Sequence, residues 1–111
     1  MTDSLLDSLW GAKLDRIDVD VVRHVVEMWV EVTTRAVQHR WQVTFHSVTE
    51  LRFFSSIPDP WNYAELTEIY ATRLANQRIR VEIVLWSEDA GLTLEAGSVQ
   101  VDGRTLAITD T

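Results

Sequence analysis

Between Arg78 and Trp86 the chain places Ile79, Val81, Ile83 and Leu85 on every second position, with Arg80, Glu82 and Val84 between them. That period of two marks a strand with one buried face, because successive side chains of an extended backbone point to opposite sides. A helix would scatter the four residues around its circumference. Such a segment also demands neighbours, since a lone strand leaves its backbone donors and acceptors unpaired.

Candidate neighbours are legible on both sides. Glu65–Leu74 and Arg78–Trp86 read as the arms of a hairpin around Ala75, Asn76 and Gln77, although Leu66, Ile69 and Tyr70 also suit a helix. Asp89-Ala90-Gly91 reads as a reversal into Leu92 and Leu94, and Asp102-Gly103 as a hairpin turn before a last strand over Leu106–Ile108. Upstream, Ile17, Val19 and Val21 alternate with Asp18 and Asp20, while Trp41, Val43 and Phe45 alternate with Gln42, Thr44 and His46. Val25–Thr34 is ambiguous, because Val22, Val25, Val26, Trp29 and Val30 also match helical spacing. Its β-branched content selects a strand and puts Arg23 and His24 at the preceding reversal. The apolar phase slips after Phe45, which predicts a bulge or brief turn near His46–Ser47.

The first segment is different. Leu5, Leu6, Leu9 and Trp10 share one side of a helix that Asp3 or Ser4 caps and Gly11 ends. The fold expected is mainly β: an antiparallel sandwich or partial barrel with a short N-terminal helix. At 111 residues the chain fits one domain, residues 1–111, with a helical segment over 1–12 and an antiparallel β domain over 13–109. By phase, Trp10, Trp29 and Trp41 belong to the core. Trp86 breaks the alternation, and with Val84 it predicts a second buried face, covered by the N-terminal helix or by another subunit.

The formal net charge of -7 argues against a nucleic-acid partner and against an anionic membrane surface, both of which reward a basic protein. It leaves open a basic protein partner, although solubility alone also explains an acidic surface. No run approaches the roughly 20 apolar residues of a membrane-spanning helix. The acidic start MTDSLLDSLWGAKL lacks the pattern of a signal or transit peptide, and the chain has no cysteine; a cytoplasmic location is the expectation.

Chemistry-bearing residues form no motif. His24, His39 and His46 lack metal-ligand spacing and read as turn or surface residues. Asp15, Asp18 and Asp20 lack the glycine and distal glutamate of a calcium loop, with Arg16 intruding; a solvated strand face is the simpler reading. Glu65 with Glu68, or Glu88 with Asp89, offer an acid and a base, yet nothing in the sequence separates their pKa values as catalysis requires. No G-x-S-x-G elbow or phosphate-cradling glycine loop occurs. The reading is no enzyme and no cofactor.

The most distinctive stretch is Pro58-Asp59-Pro60-Trp61-Asn62-Tyr63. Two prolines stiffen it, and two aromatics offer large amphipathic surfaces at small ordering cost. Two readings fit: a recognition loop, or aromatics folded back to plug an open end of the sheet. As a recognition loop its partner-binding residues are Asp59, Trp61, Asn62 and Tyr63, with Glu65 beside them.

The run TFHSVTELRFF, then PDPWNYAEL and later RIRVEIVLWS, resembles the YxiG-like small bacterial proteins over about Lys13–Asp102. Phe45, Val48, Leu51, Trp61, Tyr63, Glu65 and Leu66 carry the likeness to their layout of strand, F-x-x-V-x-x-L, loop, W-x-Y-x-E-L and strand. Some members of that family are regarded as immunity proteins acting beside secreted toxins, so the resemblance implies a binding or inhibitory role and supplies no catalytic residues. The functional expectation is a non-enzymatic protein-binding domain, immunity-like in kind. The alternatives are a self-associating assembly domain, such as a homodimer, and a small hydrolase using His46 or His24.

Overall fold

The computed structural model describes residues 4–108. Asp3 and Thr109, named above as a helix cap and as the end of the β domain, lie outside the described residues, as do the side chains of Ser4 and Leu5. A helical turn, α1 (Ser4–Asp7), precedes nine strands: β1 (Ala12–Asp20), β2 (Val25–Thr34), β3 (Val37–His46), β4 (Glu50–Ser55), β5 (Ala64–Arg73), β6 (Ile79–Leu85), β7 (Ser87–Ala96), β8 (Ser98–Val101) and β9 (Arg104–Thr105). The protein is mainly β, and every strand pairing is antiparallel.

The strands form one sheet in the order β4-β7-β6-β5-β1-β2-β3-β8-β9, and it is not closed. Its flanks meet at one corner, because two long strands are bent there. β3 runs into β4 through Ser47, which has φ 55, and β7 runs into β8 through Gly97. Gly97 N–H donates to His46 O at 2.8 Å, and Thr49 N–H donates to Glu95 O at 2.9 Å. Pairing therefore carries on across the bend from β3–β8 to β4–β7, and the phase slip after Phe45 is this bend.

The inner face holds the core, and no buried residue on it is polar or charged among those described. Ile79, Val81, Ile83 and Leu85 are all at or below 2% exposure, as their alternation requires. Each such burial is worth about 1.5–3 kcal/mol against leaving the side chain in water. The β5–β6 hairpin closes where Leu74 N–H donates to Arg78 O, with Gln77 at φ 68. Val25–Thr34 is a strand, and the reversal before it falls at Val21–His24.

Five expectations need correction. The N-terminal helix does not extend to Trp10; α1 is a single turn that buries Leu6, after which Leu9 is buried in the core and Trp10 stays 42% exposed. Val19 and Val21 are not buried: after the register shift between Leu14 and Arg16, Ile17 and Val19 share the face of the buried Met28 and Val26, but the core ends before Val19, which is 48% exposed, and Val21 lies in the reversal at 78%. The chain leaves β6 at Trp86, not at Asp89–Gly91, because Leu85 pairs with Ser87 and Val84 with Gly91. Glu88, Asp89 and Ala90 are thereby left without β6 partners. After Asp102 and Gly103, whose positive φ values of 50 and 84 suit a tight hairpin, the last strand is Arg104–Thr105; Leu106 and Ile108 are buried but lie outside any strand. Finally, none of the five tryptophans is fully buried, and Trp86, expected on a second buried face, is 39% exposed. Tryptophan is large and carries an N–H that wants a partner, so these rings settle at the margins of the core. Trp10 shows how: its indole N–H donates to Ile69 O at 3.1 Å.

Candidate functional site

Residues 56–63 link the end of β4 to the start of β5. The segment begins in a local turn, with Ile57 N–H donating to Ser55 Oγ at 3.2 Å and Ser55 Oγ–H donating to Ile57 O at 2.9 Å. Ser56 N–H donates to Asp89 O at 3.0 Å, which sews the segment to the outer end of β7. Pro58 and Pro60 fix their own φ and contribute no backbone donor, so the segment follows the sheet margin without joining a ladder.

Trp61 is half-buried against the core and meets the Phe53 ring edge-on at 6.5 Å. It is a common wall of three cavities. One is an inner apolar cavity of about 380 Å³ between β1 and β4, bounded by Leu14, Ile17, Leu51 and Phe53 over Leu85 and Leu92. A second, about 510 Å³, lies outside Phe53, Phe54, Pro58 and Asp59. The third is a cleft of about 430 Å³ between the 56–63 segment and the β6–β7 corner, lined by Asn62, Tyr63, Trp86, Ser87 and Asp89 among others.

Tyr63 and Trp86 form the exposed lip of that cleft, 49% and 39% exposed, with ring centroids 5.0 Å apart and planes tilted by 59°. Trp86 stands there in a left-handed backbone conformation, φ 67, which is costly for a bulky residue. Two bonds hold it: its N–H donates to Glu65 O at 3.0 Å, and its carbonyl accepts the Thr67 hydroxyl at 2.9 Å. The Lys13 ammonium lies 5.7 Å from the Tyr63 ring centroid.

The five residues expected at a binding loop are thus partly gathered. Trp61, Asn62 and Tyr63 line the cleft, Asp59 lines the neighbouring hollow, and Glu65 lies on β5, where its backbone carbonyl anchors Trp86 and its carboxylate accepts from Thr67 at 3.4 Å. Of the loop aromatics, Trp61 packs inward against the core and Tyr63 stays exposed. Sequence reasoning missed Trp86 and Asp89 as members of the cleft. The signal was present, since Trp86 breaks an otherwise clean alternation and is followed by Ser87-Glu88-Asp89.

The other candidates are dispersed. His24 Nδ1–H donates to Val48 O at 3.0 Å, His46 Nε2 shares a 3.1 Å hydrogen bond with Gln100 Oε1, and His39 stacks on Trp41 at 4.1 Å. Asp15 meets Arg40 at 3.4 Å, Asp18 meets Arg16 at 2.9 Å, and Asp20 accepts the Arg23 N–H at 3.0 Å. Among the described residues no three His, Asp or Glu side chains are grouped to hold a metal ion. Tyr70 donates to Glu68, and this hydrogen bond, with partial desolvation and the carboxylate's charge behind it, holds the phenol above its usual pKa. It lies on β5 against Trp10, away from the cleft.

No protein-family model matches this chain, and no curated protein matches it either.

Proposed function

We propose that this chain is a protein-binding domain, immunity-like in kind, that holds its partner at the cleft between residues 56–63 and the β6–β7 corner. The observation that carries the reading is the exposed Tyr63–Trp86 pair beside the half-buried Trp61, with Trp86 held in a left-handed backbone conformation. Aromatic rings of this kind supply large contact area with few rotatable bonds, which is the pattern of interface anchors. The prolines lower the entropy lost on binding. The resemblance to YxiG-like proteins supports the same role, and a cytoplasmic setting belongs to the same proposal. Within this reading the open sheet is a partial barrel: its bent strands at Ser47 and Gly97 curve it around the inner cavity, whose side the 56–63 segment spans. The test is affinity capture from host lysate by wild type and by a Tyr63→Ala/Trp86→Ala variant, with folding checked by circular dichroism. A protein kept by wild type and lost by the folded variant is expected; equal retention by both would defeat the assignment of the cleft.

A second reading, self-association, is favoured by one feature. β4 is an edge strand of the open sheet, and it exposes Phe53 (61%) and Phe54 (41%). Such an edge is a template for pairing with another copy. Light scattering separates the two: a monomer at high concentration removes the homodimer.

A further inference from the structure

The two segments that line the cleft carry charge of one sign, and the cation beside them is Lys13 of β1, 5.7 Å from the Tyr63 ring centroid. Segments 55–65 and 85–90, which build the cleft, contain Asp59, Glu65, Glu88 and Asp89 and no lysine, arginine or histidine. Asp89 lines the cleft itself, and its carboxylate touches only the Ser87 hydroxyl at 3.5 Å, with no cationic partner among the described residues. The aromatic lining comes from both walls: Trp61 and Tyr63 from the 56–63 segment, and Trp86 from the β6–β7 corner that also carries Asp89. Negative ring faces beside an unneutralised carboxylate attract a cation, and a planar guanidinium satisfies both at once by stacking on a ring and donating to the carboxylate.

We propose that the cleft receives an arginine side chain of a basic partner protein, stacked against Trp86 and Tyr63 and paired with Asp89. This rests on the binding reading above and names the chemistry of its anchor. Charge complementarity selects the occupant: a chain of net charge -7 meets a basic surface attractively, and an uncharged or acidic side chain would leave Asp89 unpaired. The Lys13 ammonium, 5.7 Å from the Tyr63 ring centroid, shows that this ring already accommodates a cation on the protein's own account.

The probe is N-acetyl-arginine amide, titrated into the full chain at constant ionic strength while the tryptophan indole N–H signals are followed by NMR. Saturable shifts of the Trp61 and Trp86 signals are expected in the millimolar range, as for a single exposed anchor. Citrulline amide, the uncharged isostere, should bind about tenfold more weakly, and Asp89→Asn should weaken arginine about threefold with an unchanged thermal midpoint. No saturable shift, an equal response to citrulline, or a response to maltose in place of arginine overturns the cationic anchor. The two proposals fail separately. A partner lost by the Tyr63→Ala/Trp86→Ala variant while arginine amide gives no shift keeps the binding face and removes the anchor. Arginine binding that survives in that double variant places the cation elsewhere and also overturns the proposal.

Discussion

β6 and β1 carry nearly the same sequence signal and have opposite fates. Both alternate apolar and charged residues, yet Ile79 to Leu85 are buried while Val19 and Val21 are exposed. The difference lies in what flanks each strand. β6 is paired along its length by β5 on one side and, up to Val84, by β7 on the other. β1 pairs with β5 only over Ala12–Leu14, and beyond the register shift at Asp15 its one neighbour is β2. Alternation therefore reports an extended backbone; burial depends on whether a second layer lies over the face, which a local pattern cannot state.

The contrast has measurable consequences. Replacing Ile83 by alanine removes packed atoms from a core without polar groups to refill the space, and should lower the stability by about 2–5 kcal/mol in chemical denaturation. A value near zero would mean that β6 is no better packed than β1. Gly91→Ala strikes the same pairing through the backbone, since a Cβ there falls 2.5 Å from Ile83 O. It should destabilise by about 1–3 kcal/mol, and a neutral result would show that β6 and β7 part easily. On the β1 side, Arg16 lies over the Trp29 ring at 4.3 Å while meeting Asp18 at 2.9 Å, so charged side chains, not strands, cover this region. Arg16→Ala should cost about 0.5–1 kcal/mol and lose part of that at high salt. Val19→Ala should be the smallest effect, within about 0.5 kcal/mol. A large effect there would reveal a cover over the β1–β2 hairpin.

Most of the strand content was legible from residue type and period: the β5–β6 hairpin, the reversal at Arg23–His24 and the break near Ser47 all follow from local patterns. The order of the strands was not, because it depends on the corner bonds between Gly97 and His46 and between Thr49 and Glu95, pairs far apart in the chain. Tryptophans misled for a physical reason, since ring size and the indole donor keep them at the core's margin. At the candidate site, the 56–63 segment declared itself through its prolines and aromatics. Its opposite wall did not: Trp86 faces Tyr63 only because Leu85 pairs with Ser87, a tight reversal that turn-forming residue types do not mark. Asp89 followed from the same feature, since the Glu88–Ala90 stretch, without β6 partners, pairs toward β4, with Ala90 opposite Ser55 and Asp89 O accepting the Ser56 N–H.

The central claim is that recognition takes place at the aromatic cleft and not along the exposed β4 edge or the β1–β2 hairpin. Hydrogen–deuterium exchange on the captured complex tests it most directly. The account predicts new protection confined to residues 56–63 and 86–90. Protection centred on residues 50–55 or 16–24, with the cleft unchanged, would contradict it.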